Sequence, residues 1–212
     1  MKTTRRHLIA IAVIAAFSIP ALAAGPLHFD KSEYAARRAK LMERIPDGAA
    51  IVLGATMPTG YLEFFQNNDF MYFTGVEIPN ACLIVDGRQK TSTLFFTITD
   101  GAARNEGISL ELVHNAKEVT GIEQVLPVDQ FTPSIARMAN RGGVLYTSFK
   151  PEELSRECSA EKFGILQNAT TLNFWDGRLT RELQFVRNLQ ERFPGAVVKD
   201  ASPAIWELRS IK

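Results

Sequence analysis

The chain has 212 residues, with 24 lysines and arginines against 23 aspartates and glutamates, 46% apolar residues, two cysteines and three histidines. This balance excludes a disordered polyampholyte, a small disulfide-stapled scaffold and a strongly basic nucleic-acid binder. The totals combine two unlike segments, because the first 23 residues carry Lys2, Arg5 and Arg6 but no acidic residue.

The first 23 residues predict a secretory signal peptide. Their basic start is followed by the apolar stretch Leu8 to Ile19 and by the small residues of Ala21-Leu22-Ala23, which is the pattern that a signal peptidase reads. The alternative is a membrane anchor, but the apolar stretch is shorter than the roughly 20 residues that span a bilayer. We therefore expect cleavage after Ala23 or Ala24 and a periplasmic or secreted protein, with twin-arginine export left open by the adjacent arginines.

The mature chain is predicted to be one mildly acidic domain. Without the first 23 residues 189 remain, and without the three basic residues named above 21 basic residues stand against 23 acids. No field remains that would attract nucleic acid or an anionic membrane surface. A chain of this length buries roughly 70% of its unfolded surface without cross-links. A bridge between Cys82 and Cys158 is therefore allowed in an oxidising compartment, but we expect two unpaired thiols.

The first half of the mature chain alternates helical and strand patterns. Asp30 and Glu33 form a capping pair for a helix from Asp30 to Ile45, and the apolar run Ala49 to Leu53 predicts a buried strand. Asp86-Gly87 is a turn signal. Aromatic, apolar and β-branched runs predict three further strands: Phe70 to Thr74, Ala81 to Val85, and Leu94 to Ile98.

The second half continues the alternation. Asp176 is the predicted cap of a helix in which Leu179, Leu183, Val186, Leu189 and Phe193 recur at helical spacing. Ser202 is the predicted cap of the last helix, with Pro203 in its first turn. The other predicted elements are helices at Lys117 to Thr120 and Asp129 to Asn140, and strands at Val144 to Thr147 and Ala196 to Val198. Together these elements predict an α/β fold: a single domain with a central mixed β-sheet flanked by helices.

The residue types that usually serve in catalysis or metal binding show no spacing typical of a known site. His28 and His114 are too far apart for a helical ligand spacing, so surface positions are expected for both. No nucleophile elbow, phosphate loop or dinucleotide fingerprint occurs. The carboxylates of Glu152-Glu153, Glu182 and Glu191 are expected on exposed helical faces. Composition and spacing alone therefore predict an exported α/β domain without a catalytic site.

A longer motif supplies a functional hypothesis. The segment QNNDFMYFTGV at 66–76, followed by Pro79-Asn80-Ala81, resembles the hallmark of the N-terminal domain of aminopeptidase P, in the prolidase and creatinase superfamily. Three weaker matches lie in the order that the family requires: Arg37-Arg38 with Leu41, Thr120-Gly121-Ile122, and Leu208 to Lys212. The motif positions that match are Gln66, Asn68, Asp69, Phe70, Tyr72, Phe73, Thr74, Gly75, Pro79 and Ala81.

The motif is expected to serve as scaffold. Its aromatic residues favour β-structure, Gly75 allows a turn that a side chain would block, and Pro79 fixes the chain before the next strand. For Asp69 a binding role is weighed against a cap or a turn hydrogen bond, and we favour the latter. Two departures from the family pattern are Phe65, where arginine is usual, and the missing Glu-x-Trp-x-Gly signature near Glu106-Gly107.

The resemblance implies a division of the chain and a function. Residues 1–23 are the expected signal peptide, 24–203 the aminopeptidase P N-terminal-like domain, and 204–212 the start of a linker helix. In the family, Arg-x-x-Lys leads into a pita-bread catalytic domain whose two aspartates, one histidine and two glutamates hold two divalent metals, usually manganese. None of these ligands lies in the 212 residues, so we expect no catalytic or metal-binding residue, and no activity, in this chain alone.

The resemblance also implies partners and leaves alternatives open. In a complete Xaa-Pro aminopeptidase this domain would contribute oligomer contacts and limit access to short proline-containing peptides, and the chain would be a truncated or split gene product. Its expected partners are a second copy or a separately encoded catalytic domain, without nucleic acid and without a membrane after signal cleavage. The alternatives are a free-standing interaction module with the same fold, and the N-terminal part of a dipeptidase or creatinase-like hydrolase.

Overall fold

The computed structural model describes residues 27–57, 64–150 and 179–210, and the structural statements below concern these ranges. The predicted signal peptide, the Glu152-Glu153 pair, Cys158 and Asp176 lie outside the described residues. None of the helices in the described ranges has the length and apolarity that crossing a membrane requires.

In the described ranges, six strands form one mixed sheet in the order β4-β3-β2-β1-β5-β6. The pairs β1 with β2 and β2 with β3 are antiparallel, whereas β1 with β5, β5 with β6 and β3 with β4 are parallel. The strands are β1 Gly48–Leu53, β2 Cys82–Asp86, β3 Thr91–Phe95, β4 Gln124–Leu126, β5 Val144–Thr147 and β6 Val197–Asp200. The predicted α/β fold with a central mixed sheet is confirmed.

Helices lie between the strands along the chain. They are α1 Lys31–Arg44, α2 Asn68–Thr74, α3 Asp100–Asn105, α4 Leu110–His114, α5 Ala116–Thr120, α6 Phe131–Asn140, α7 Arg181–Arg192 and α8 Ser202–Ser210, with a 3-10 turn at Val128–Gln130 before α6. The predicted helix from Asp30 is confirmed, because the Asp30 carboxylate accepts a hydrogen bond from the Ser32 amide and caps α1.

Apolar side chains cover both faces of the sheet. In β1, Ala50 and Val52 join a core cluster with residues of α1, α2 and α8, while Ala49 and Ile51 join a second cluster with residues of α6 and α7. Successive strand residues point to opposite faces. The uninterrupted apolar run at 49–53 is therefore explained by a central strand that is buried on both sides.

The predicted strand from Phe70 to Thr74 is wrong, because these residues belong to helix α2. Phe70 and Phe73 are three residues apart and both are fully buried, which places them on one helical face. Gly75 ends the helix with a left-handed conformation, and its amide donates to the Met71 carbonyl. Aromatic composition indicated a strand here, but tertiary packing along a helical stripe determines the conformation.

The predicted strand from Leu94 to Ile98 is displaced, because β3 covers Thr91–Phe95. The turn after β2 fixes this register. The Asp86 carboxylate accepts hydrogen bonds from the amides of Arg88 and Gln89, and Lys90 adopts a positive φ. The turn predicted at Asp86-Gly87 is thus confirmed. After this turn β3 begins at Thr91, three residues before the predicted start at Leu94.

Neither predicted cap describes the helix start that the structure shows. Thr180 caps α7, because its side chain accepts from the Leu183 amide, and the predicted cap Asp176 lies outside the described residues. Ser202 is the first residue of α8, and its hydroxyl accepts from the amides of Phe149 and Lys150 instead of capping α8. In α8 a neighbouring segment therefore uses the hydroxyl that the sequence pattern assigned to the helix cap.

Candidate functional site

The family-like motif begins with a buried glutamine that joins three segments. The Gln66 side-chain oxygen accepts hydrogen bonds from the amides of Ala55 at 2.6 Å and Asn67 at 3.0 Å. Its side-chain nitrogen donates to the carbonyls of Val76 at 3.2 Å and Ile78 at 3.0 Å. One side chain thereby connects the end of β1, the start of α2 and the loop that leads to β2.

Two Thr-Gly sequences end α2 and α5 in the same way. In each, the threonine hydroxyl, of Thr74 or Thr120, donates to the carbonyl four residues before it and accepts from the amide two residues after it. The glycines that follow, Gly75 and Gly121, have φ angles of 67° and 64°. A left-handed glycine with a polar side chain beside it is a stable helix end. The repeated Thr-Gly-(Val/Ile) pattern was the sequence signal for this shared role.

Arg38 holds these two helix ends together. Its side chain is 1% exposed and donates to the Phe73 carbonyl at 2.9 Å and to the Gly121 carbonyl at 3.2 Å. Both acceptors lie at helix C-termini, where unpaired carbonyls favour a cation. Burial lowers the pKa of Arg38 below its usual range, and the nearby Glu123 carboxylate opposes that shift.

Arg37, on the neighbouring face of α1, stacks on aromatic rings. Its guanidinium carbon lies 4.5 Å from the Tyr72 ring centre, 5.3 Å from that of Tyr34 and 5.2 Å from that of Phe29. It also donates to the Tyr72 carbonyl at 3.1 Å. These contacts attach the segment before α1 to the exposed side of α2.

Asp69 connects α2 to α8. Its side chain is 7% exposed, and the Arg209 guanidinium donates to it at 2.5 Å. Burial raises the pKa of the Asp69 carboxyl above its usual range, although Arg209 opposes the shift. The sequence suggested either a binding role or a cap or turn hydrogen bond for Asp69. Neither hypothesis indicated this ion pair with α8.

The four sequence matches therefore meet in one region, which we call the motif hub. It is defined by Arg37, Arg38, Gln66, Asp69, Tyr72, Gly75, Gly121 and Arg209. The other motif residues support it. Phe70, Phe73 and Ala81 are buried in the core, Pro79 is buried before β2, and Asn68 is the first residue of α2.

Gly75 of the motif has no room for a side chain. A Cβ at Gly75 would lie 2.4 Å from the Tyr34 Cζ, whereas Gly107, with φ 68°, has open space around it. Both sites carry the positive-φ cost, so we expect Gly75→Ala to be about 1–3 kcal/mol more destabilising than Gly107→Ala. Urea denaturation of the two variants measures the difference, and equal losses would contradict a clash with Tyr34.

A small cleft lies beside the motif hub. It opens at the carboxyl ends of β1 and β5, and its lining includes Asn67, Asp69, Lys150 and Glu182. Its volume of about 30 Å³ holds one or two water molecules. Glu182 is half-buried here rather than exposed as expected, whereas Glu191 is exposed.

The remaining candidate residues do not form a site. His28 and His114 have side chains 65% and 57% exposed, near Glu77 and Asp100, as the predicted surface positions require. Burial raises the pKa of the Cys82 thiol to about 11. Within the three described ranges, no group of three or more histidine, cysteine, aspartate or glutamate side chains could hold a metal ion.

Solved structures with the same fold come from aminopeptidase P enzymes. A putative aminopeptidase P from Bacillus anthracis shares 22% identity with a TM-score of 0.64, covering 87% of this chain and 41% of its own. Escherichia coli aminopeptidase P with the inhibitor Pro-Leu shares 21% identity, with a TM-score of 0.52 and coverages of 87% and 39%. Yersinia pestis proline aminopeptidase P II shares 24% identity with a TM-score of 0.53, and the match covers 87% of this chain and 40% of that one. The chain thus spans about two fifths of the length of these structures.

Sequence comparison supplies the family. No curated protein matches the chain significantly. The family model for the N-terminal domain of aminopeptidase P matches residues 34–146, which is more than half of the chain. The matched segment runs from α1 to β5 and contains all of the motif hub except Arg209. The chain therefore belongs to the aminopeptidase P N-terminal domain family.

Proposed function

We propose that this chain is the non-catalytic N-terminal domain of an exported Xaa-Pro aminopeptidase. The observation that carries the proposal is family membership over the segment that builds the sheet and the motif hub. The hub consists of hydrogen bonds and ion pairs that join secondary-structure elements, so its chemistry suits a scaffold. In the complete enzyme the domain would contribute oligomer contacts and limit access to the catalytic cleft, where two manganese ions would act on the peptide bond before proline.

A direct test is hydrolysis of a Xaa-Pro tripeptide by the purified full chain with added manganese. We expect no product above the buffer blank, with a complete aminopeptidase P as the positive control. Gln66→Ala, which disrupts the motif hub, is the matched control for contamination. Turnover by the native chain that disappears in this variant would overturn the proposal, because it would follow the folded domain.

Export is tested separately. Mass spectrometry of the chain recovered from the periplasm of an expressing bacterium is expected to give a mature N-terminus at Ala24 or Gly25. Replacing Arg5 and Arg6 by lysine distinguishes the two export routes, because twin-arginine export needs the arginine pair and general secretion accepts lysine. Cytoplasmic retention of the unprocessed native chain would contradict the export part of the proposal.

The docked helix α8 favours a second candidate, a free-standing interaction module with this fold. Ile205 and Leu208 are buried in the core, so α8 packs as part of the domain. Sequencing the gene beyond codon 212 separates the candidates. A continuing or adjacent reading frame with the family's aspartate, histidine and glutamate ligands supports the enzyme, whereas its absence supports the module. The same frame would identify a dipeptidase or creatinase-like relative by its substrate residues.

A further inference from the structure

Helix α8 is attached to the domain through Ser202 at its start, by apolar burial, and by polar contacts at three consecutive residues near its end. Ile205 and Leu208 enter the core. Around them, Glu207 pairs with Arg44 of α1, the Leu208 carbonyl accepts from the Tyr72 hydroxyl at 2.8 Å, and Arg209 pairs with Asp69. Two of these three polar partners, Tyr72 and Asp69, belong to the family motif.

The apolar contacts explain why α8 packs on the domain, but they do not explain its orientation relative to the other helices. Burial of the two aliphatic side chains favours docking, and this driving force is non-directional. A helix held at its first residue and by two such side chains can therefore still change its tilt. Hydrogen bonds and ion pairs have defined distances and angles, so they can select one arrangement.

The Asp69–Arg209 pair is more buried than the other ion pair of α8. The Arg44–Glu207 pair is exposed, with side chains 39% and 56% exposed, and exposed pairs contribute little. The side chain of Asp69 is only 7% exposed and that of Arg209 is 28% exposed. A carboxyl whose pKa is raised on folding makes the native state less stable as pH rises from the carboxyl's ordinary pKa toward the raised one, so the ionised pair is not a net source of stability.

We infer that the Asp69–Arg209 pair sets the orientation of α8 and adds little to the global stability of the domain. Orientations of α8 that separate the two charges take the Arg209 guanidinium away from a buried carboxylate, and such arrangements are disfavoured. The pair thereby fixes the direction in which the chain leaves the domain. Its consequence for an enzyme rests on the proposed function, whereas the orientation is a property of this chain.

The test measures orientation and stability separately in the full chain. Spin labels at Lys40 and Ser210, both exposed, report the position of α8 relative to α1 in a background with Cys82→Ala and Cys158→Ala. The test variant is Asp69→Asn with Arg209→Met, and the matched control is Glu191→Gln with Arg187→Met, which removes an exposed pair from α7. The urea midpoint of each variant is measured in parallel.

We expect the distance distribution of the test variant to broaden about twofold, with amide exchange in α8 of the unlabelled chain about tenfold faster. Its urea midpoint should remain at or above that of the parent, and the control should change neither quantity. An unchanged distribution would overturn the inference. A broadening with a lower urea midpoint would also overturn it, because the pair would then be an ordinary stabilising contact. Peptidase turnover would overturn the proposed function but not this result.

Discussion

Replacing Gln66 by alanine is expected to destabilise the domain by about 3–5 kcal/mol, because four backbone groups, three of them in buried hydrogen bonds, lose a partner at once. The side chain is 8% exposed, so water has little access to those groups. Urea denaturation followed by circular dichroism measures the loss.

The matched control for this prediction is Gln184→Ala on α7. Gln184 is exposed and its side-chain nitrogen donates to the nearby, exposed Asn188 side chain at 3.0 Å, so a change within about 0.5 kcal/mol is expected. Gln66→Glu tests the mechanism, since it keeps an accepting oxygen but removes the donors to Val76 and Ile78. A loss below about 1 kcal/mol in Gln66→Ala would contradict the assigned network.

Replacing Arg38 by methionine is expected to cost about 3–5 kcal/mol, since hydrogen bonds to a charged group contribute about 1.5–3 kcal/mol each and two are lost. Methionine retains much of the aliphatic volume, so the result reports mainly on the guanidinium. Because the two acceptors end α2 and α5, both helices should lose amide protection together. Hydrogen exchange measured on the same variant checks this coupling.

Two further variants make the Arg38 prediction specific. Arg187→Met removes an exposed arginine, 60% exposed, whose pair with Glu191 on the same helix contributes about 0.3–0.5 kcal/mol. Arg38→Lys keeps the charge but cannot reach both carbonyls with one ammonium, so we expect it to recover less than half of the loss. Wild-type stability in Arg38→Lys would show that charge alone suffices and that the fork geometry is irrelevant.

The fold class could be predicted from the sequence because the sheet strands are short apolar runs between turn signals. The strand at Val144 to Thr147 and the helix from Asp30 have the predicted positions to within a residue. Element type failed at Phe70 to Thr74, where β-propensity and helical spacing disagree. A short aromatic segment satisfies either pattern, and only its packing against the core decides between them.

The candidate site could be predicted as a set of motifs but not as a contact region. The resemblance identified Arg37-Arg38, the Gln66 to Gly75 motif, Thr120-Gly121 and Arg209 as separate matches along the chain. Arg38 contacts the Gly121 carbonyl, 83 residues away, and Arg209 contacts Asp69, 140 residues away. No local pattern encodes such distances, because the sheet and helices must first bring these segments together.

The sequence by itself determined the family, the mixed α/β class and the segments that matter, since each depends on local spacing or on a long specific motif. The tertiary structure alone decided what the motif does. The sequence indicated no distant hydrogen-bond partners for the polar residues Gln66, Arg38 and Asp69. Because these side chains are buried, they require such partners. Their hydrogen bonds connect β1, α1, α2, α5 and α8, so the family motif holds the elements of this domain together.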